Sequence, residues 1–357
     1  MHAYRPLAAL SIILATVLLT TAIHTPSTTA KEPAAHTPAP LLMYRDIPWV
    51  TVGGKILTTD IFVPNTKRDQ YPVVVIYHGG GWLINDNKIM ESTAKYLAQQ
   101  GEFVVANMNY RLLGDNHNTT TMGEIVEDAL GGLLWVREHI ADYHGDPDQI
   151  AVTGDSAGGH LSAMVLLAMD NLSHTPFGPH NLSFRPTYLP RAKTGGKTLE
   201  QIEAQGQNVL KAAVLSYGVF DLEQRVRDGL ESPGNGFWKM GGAKARGIFG
   251  KDISIDTHPA LYRAVSPIQL IPTAEERRLP PTFVHVGSKD TTTPPSAVKR
   301  FADQLAIAGQ TVVFKEYADK NHAFLDSGCN EYLGNCFDED APETLKDMTD
   351  FLKRHFE

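Results

Sequence analysis

Two cysteines, Cys329 and Cys336, are all that the 357-residue chain contains. That scarcity excludes a disulfide-rich scaffold and a four-cysteine zinc site. No His-Glu-x-x-His run occurs, so the commonest zinc-hydrolase pattern is missing as well. Positive charge is not in excess: 32 Lys and Arg stand against 40 Asp and Glu, a formal net charge of −8. A mildly acidic chain offers no basic footprint for nucleic acid. Past the first 30 residues, no apolar run reaches the ~20 residues that cross a bilayer, so no span is expected in the mature form. What is present, 42% hydrophobic and 20% charged residues, suits a globular protein and excludes a wholly disordered one. The length admits two domains or one large one.

Residues 1–30 read as a secretory signal peptide: Arg5 at the start, an apolar run from Leu7 to Leu19, then small residues before Ala22 or Ala30. The run is too short for a membrane anchor. Its removal leaves a net charge of −9 and places the protein outside the cell or in the periplasm. Residues 31–43 read as a Pro/Ala-rich tether and 44–357 as a single domain. Export changes how the cysteines read, because an oxidising compartment favours a Cys329–Cys336 disulfide. So short a loop would gain on the order of 2–3 kcal/mol from closure.

From Tyr44 onward β-rich runs alternate with helical stretches. An antiparallel pair, Ile47 to Val52 and Ile56 to Phe62, turns at Gly53-Gly54. Tyr71 to Tyr77 is a continuous apolar run, the mark of a strand buried on both faces. Further strands are expected at 103–109, 149–153, 210–216, 282–286 and 311–317. Helices are expected at 88–100, 122–143, 157–169, 296–307 and 342–355. Such alternation implies right-handed crossovers and a mostly parallel sheet of about eight strands between helices. Two stretches, about 170–208 and 223–280, break the pattern and are expected as insertions at the sheet's carboxyl edge.

Gly154-Asp-Ser156-Ala-Gly158 lies between a strand and a helix, as a Gly-x-Ser-x-Gly nucleophile turn requires. Glycines flank the serine because a side chain there would strike neighbouring backbone. The missing Gly-x-x-x-x-Gly-Lys pattern argues against a phosphate turn. His78-Gly-Gly-Gly-Trp82 follows the apolar strand, and three glycines leave amides free for an oxyanion hole. Those of Gly80 and Gly81 join that of Ala157, the residue after the nucleophile. In this architecture the acid follows the serine and the histidine follows the acid. Of 14 histidines only His322 and His355 lie beyond Asp290, and His355 falls in the last helical turn. His322 is therefore the expected base. Asp290 is preferred to Asp221 as the acid, because it ends the strand just before the unit that carries His322.

These motifs, with Asn109-Tyr-Arg111 and Ser266-Pro-Ile268, resemble the α/β-hydrolase superfamily. The resemblance covers about residues 44–357. It is closest to the esterase branch of hormone-sensitive-lipase-like carboxylesterases and bacterial feruloyl/acetyl esterase-like proteins. It implies an α/β-hydrolase fold and the same triad and oxyanion hole. Hormone-sensitive-lipase relatives usually carry a helical cap before the first strand, where this chain has only the tether.

The expected chemistry is a serine carboxylesterase, with acyl transfer to water through an acyl-enzyme and no cofactor or metal. The substrate would be a small or carbohydrate-linked (acetyl or feruloyl) ester. A serine peptidase would use the same triad but usually carries a large additional domain. A non-catalytic binding protein of this fold would lack a triad member, and all three are present. Trp82, Asp155 and Trp238 are candidate substrate contacts, with Phe177, Phe184, Tyr188 and Phe237 as further aromatic candidates. His78 and Arg111 read as structural. Asn118, Asn171 and Asn181 fit the glycosylation pattern.

Overall fold

Tyr71–Tyr77 (β3) is buried along almost its whole length and lies in the middle of the central sheet of the computed structural model. The structure describes residues 39–190, 201–202 and 210–356; the expected signal peptide and most of the tether lie outside these. The other strands are Leu41–Val52 (β1), Lys55–Pro64 (β2), Val104–Met108 (β4), Gly145–Asp155 (β5), Leu210–Ser216 (β6), Thr282–Gly287 (β7) and Val312–Tyr317 (β8). Together they form one sheet in the order β1-β2-β4-β3-β5-β6-β7-β8. Only the β1–β2 and β2–β4 pairs are antiparallel; from β4 onward every pair is parallel. This is the α/β-hydrolase architecture expected from the motif order.

Helices Glu91–Gly101 (α1), Met122–His139 (α2), Ala157–Ala168 (α3), Pro295–Ile307 (α4) and Pro342–Phe356 (α5) flank the sheet, α1 packing on α5 and α2 on α3. All twelve residues of α3 are buried, so it reads as uniformly apolar rather than striped. Thr121 and Glu124 close a capping box at the start of α2, satisfying two amides that would otherwise be orphaned. Arg111 lies just past β4 and meets Asp128 of α2 at 2.8 Å and Glu124 at 2.8 Å, the structural role expected of it.

One boundary differs from expectation. The first strand begins at Leu41, so Leu41, Leu42 and Met43 pair with Pro64, Val63 and Phe62 and belong to the sheet, not the tether. The described part of the 170–208 stretch packs on α2, in one cavity with Arg111 and Asp115 from the loop beyond the carboxyl end of β4: the amides of Phe177 and Arg185 both donate to Glu127. Its polar backbone finds partners on α2, which the sequence pattern does not encode. Residues 191–200 and 203–209 lie outside the described residues. The 223–280 stretch holds short helices, among them Leu222–Arg227 and Gly236–Met240.

His285 on β7 is fully buried among Tyr217, Phe283, Tyr317 and Phe324, and neither ring nitrogen has a partner among the described residues. Burial lowers its pKa from 6.5 to about 3, so the folded protein holds it neutral while the unfolded chain protonates it. A depressed histidine contributes stability that is lost as pH falls below the unfolded value. Denaturant unfolding of wild type and His285→Phe at several pH values isolates this group. The variant's advantage should widen below pH 6.5 by about 1.4 kcal/mol per pH unit. Parallel pH profiles would show that His285 is not held neutral.

Candidate active site

Close backbone contact makes the turn between β5 and α3. A Cβ on Gly158 would lie 1.8 Å from the carbonyl oxygen of Tyr77, and one on Gly154 would lie 2.5 Å from the same oxygen. Ser156 between them has φ 51° and ψ −114°, a conformation that L-residues rarely hold. The turn presents the Ser156 hydroxyl at the carboxyl edge of the sheet, at the start of α3.

Ser156 Oγ lies 2.9 Å from His322 Nε2, and His322 Nδ1 lies 2.7 Å from Asp290 Oδ2. Asp290 Oδ1 accepts the backbone N–H groups of Thr292 and Thr293, each at 2.8 Å, which fixes the plane of the carboxylate. The hydroxyl of Thr293 stands 2.9 Å from both Asp290 Oδ2 and the carbonyl of Tyr217. The three residues named from chain order thus stand in one hydrogen-bonded line. Asp221 is elsewhere: it caps the helix Leu222–Arg227 and pairs with Arg300 at 2.6 Å.

Gly80 and Gly81 adopt φ 119° and 59° in the loop after β3. Their amides and that of Ala157 donate to no group among the described residues. His78 braces this loop from behind, stacked on Tyr110 at 4.3 Å with Nδ1 2.7 Å from the Gly79 carbonyl. Burial pushes the His78 pKa down to about 4, so the ring is neutral near pH 7.

A cavity of about 340 Å³ opens over Ser156. Phe237, Met240, Tyr332 and Leu333 supply its apolar wall, and Asp155, His322 and Asp326 its ionisable groups. Among the described residues no lysine or arginine lines it. Trp82 and Trp238, expected as substrate contacts, are 1% and 2% exposed and line no part of it. The Trp82 ring packs edge-on against His160, and Trp238 donates its indole N–H to the Leu230 carbonyl. Helix phase explains the exchange: on Gly236–Met240 the neighbouring Phe237 faces the cavity while Trp238 turns into the core. Phe177 lines a separate cavity of about 660 Å³ with Lys55, Arg111 and Glu124, Phe184 is buried against it, and Tyr188 lies beside His139.

Cys329 and Cys336 are joined, closing a hairpin in which Cys329–Asn330 pairs with Asn335–Cys336. Asn335 donates its side-chain N–H to the carbonyl of His322, and Asn321 donates to that of Leu333 at 2.7 Å. Thr293, Asn335 and Asp326 escaped sequence reasoning. Thr293 lies in the Asp290-Thr-Thr-Thr run, whose hydroxyls were the available signal; Asn335 and Asp326 carry none.

The BD-FAE family model matches residues 59–305. Carboxylesterase NlhH of Mycobacterium tuberculosis is 38% identical over 138 residues, which are 38% of this chain and 42% of that protein. Esterase LipQ of the same species is 27% identical over 81% of this chain and 60% of its own length. The chain thus spans about half the length of the curated relatives it matches. Among solved structures, Thermogutta terrifontis esterase 2 superposes with a TM-score of 0.57 at 21% identity, covering 90% of this chain and 97% of that one. Fold, motif order and family model agree: the chain is an α/β-hydrolase and belongs to the BD-FAE family.

Proposed function

We propose that the protein is a serine carboxylic-ester hydrolase that works through Ser156, His322 and Asp290 by way of an acyl-enzyme. The observation that carries this reading is the line from Ser156 Oγ through both nitrogens of His322 to Asp290. His322 Nε2 takes the Ser156 proton as Oγ attacks the ester carbonyl, and Asp290 holds the tautomer that leaves Nε2 free to accept it. The amides of Gly80, Gly81 and Ala157 receive the oxyanion. His322 then protonates the leaving alkoxide, and water repeats the sequence on the acyl group. The names of the relatives NlhH and LipQ, a carboxylesterase and an esterase, point the same way.

The cavity's size suits a small acyl group or a single ring, and its walls favour neutral substrates over anionic ones. Short-chain and carbohydrate-linked acetyl or feruloyl esters are accordingly the substrates we assign. The Cys329–Cys336 bond supports placing the protein in an oxidising compartment.

A panel of short-chain, long-chain, acetyl-xylan and feruloyl esters tests both parts. Ser156→Ala should lower kcat on every accepted ester by on the order of 10⁴ or more, and full activity in that variant would remove Ser156 from its role. Turnover confined to long acyl chains would overturn the substrate assignment. Thr293→Val should lower kcat between about ten and a hundredfold with KM little changed, because it loosens Asp290 and His322 without touching substrate. A change in KM alone would place Thr293 in the substrate site instead.

A further inference from the structure

Asp155, immediately before the nucleophile, is 1% exposed, and its side chain accepts the backbone N–H of Gly79 in the oxyanion loop. Its second neighbour is unusual: the side chain of Asp326, four residues beyond His322, lies within hydrogen-bonding reach of it, and both acids line the cavity over Ser156. The Oδ1 atom of each carboxyl is buried with no partner among the described residues. Two carboxyl groups in such contact, one of them fully buried, repel each other when both are ionised, and a proton held between them removes that repulsion. The hydrogen bond then runs from the neutral acid to the carboxylate.

The groups around the pair are few. Asp155 feels His322, Tyr110 and Tyr217; Asp326 faces Asp155 and Tyr217. Asp290 lies beyond His322, and the neutral ring of His78 lies behind Tyr110. Burial raises both tyrosines well above their usual range, so neither ionises first. Among the described residues no lysine or arginine lines the cavity to relieve a second negative charge.

We propose that Asp155 and Asp326 share one proton and act as a positioning pair, tying the oxyanion loop, the nucleophile turn and the histidine loop together, so that loss of that proton sets the alkaline limit of the reaction. The contacts assign the parts. Asp155 holds the Gly79 amide beside the amides of Gly80 and Gly81, and it belongs to the turn that carries Ser156. Asp326 belongs to the loop that carries His322, whose far side is anchored by Leu325 N–H on Tyr217 at 3.2 Å and the Leu325 carbonyl on Thr93 at 2.9 Å. With one proton, the pair is a hydrogen bond carrying one negative charge facing His322. When base removes that proton to solvent, two carboxylates remain in contact and the histidine loop is pushed from the nucleophile. The direction of the shifts agrees: Asp155 rises to about 6, and Asp326 rises well above the usual carboxylate range, both chiefly through desolvation.

The pair rests on the ester-hydrolase reading for its kinetic consequence but not for its existence, and the experiment separates the two. Asp326→Asn keeps an N–H donor to Asp155 and has no proton to lose; Asp326→Leu keeps neither. On an accepted ester, with the Ser156→Ala rate subtracted at each pH, Asp326→Leu should lose at least about tenfold in kcat with KM little changed, and Asp326→Asn should recover most of that loss. The alkaline fall in kcat should move up by about one pH unit or more in Asp326→Asn. An alkaline limb identical to wild type in Asp326→Asn would overturn the proposal, whether or not Asp326→Leu folds. Infrared spectroscopy reads the pair without turnover: a protonated-carboxyl carbonyl band near neutral pH should be present in wild type and absent from Asp326→Asn. An unchanged band would overturn the shared proton even if no ester is hydrolysed.

Discussion

The approach of Gly158 to the carbonyl of Tyr77 is the constraint on which the rest of the site depends. Helix α3 can start directly from the edge of β5 only because its first turn runs against the end of β3 with no Cβ between them. Gly159 extends the same contact to β6, where a Cβ would stand 2.8 Å from the carbonyl of Ser216. The nucleophile is therefore not on a loop that could drift but on a turn wedged between three strand ends. Its strained φ is maintained by that wedge, and the strain lifts the hydroxyl clear of the sheet. The loop that carries Gly80 and Gly81 continues from β3 itself, so its amides and Ser156 inherit one frame.

The histidine is a different case. His322 sits in the loop beyond β8, the last strand of the sheet, and reaches across to Ser156 at the end of β5. Its position comes from side-chain work: Asn335 from the disulfide-closed hairpin holds its carbonyl, Asp290 holds its ring, and Thr293 holds Asp290. Asp290 in turn leans on two backbone amides of its own turn. Precision at the nucleophile is thus a matter of sterics, and precision at the base is a matter of hydrogen bonds. Bonds of that kind respond to protonation, whereas a backbone wedge does not, and this is why a carboxyl pair bridging the two halves has leverage over the base.

Most of the fold was legible because its signals are local. The apolar run Tyr71 to Tyr77, the glycine-flanked serine and the strand–helix alternation each need only neighbouring residues to be read. Chain order then placed Asp290 and His322 in one line with Ser156 although 166 residues separate the base from the nucleophile. What escaped was set by pairing between distant segments. Nothing near Glu127 announces that the backbone of Phe177 and Arg185 will close over α2. Trp238 was the natural aromatic to expect in a substrate wall, yet a single step of helix phase gives that place to Phe237. Asp326 is one acid in an ordinary Phe-Leu-Asp-Ser run, and only the fold brings it to Asp155.

Charge distribution completes the picture of the cavity. Several cations elsewhere among the described residues are held in ion pairs: Arg111 with Asp128, Arg45 with Asp60 and Glu91, Lys320 with Asp340. The wall over Ser156 is left with carboxyl groups alone beside the histidine. A negative oxyanion formed there receives no help from a side-chain cation, so its stabilisation falls on backbone dipoles and the start of α3. Backbone donors are fixed in place before substrate arrives and cost no reorganisation as charge develops. In the proposed mechanism the same arrangement keeps a carboxylate near the imidazolium that forms when Ser156 gives up its proton. Positive charge appears where negative charge is waiting, and negative charge appears where amides point. In the proposed reaction that division of labour sets a carboxylate or a backbone dipole beside each charge of the transition state.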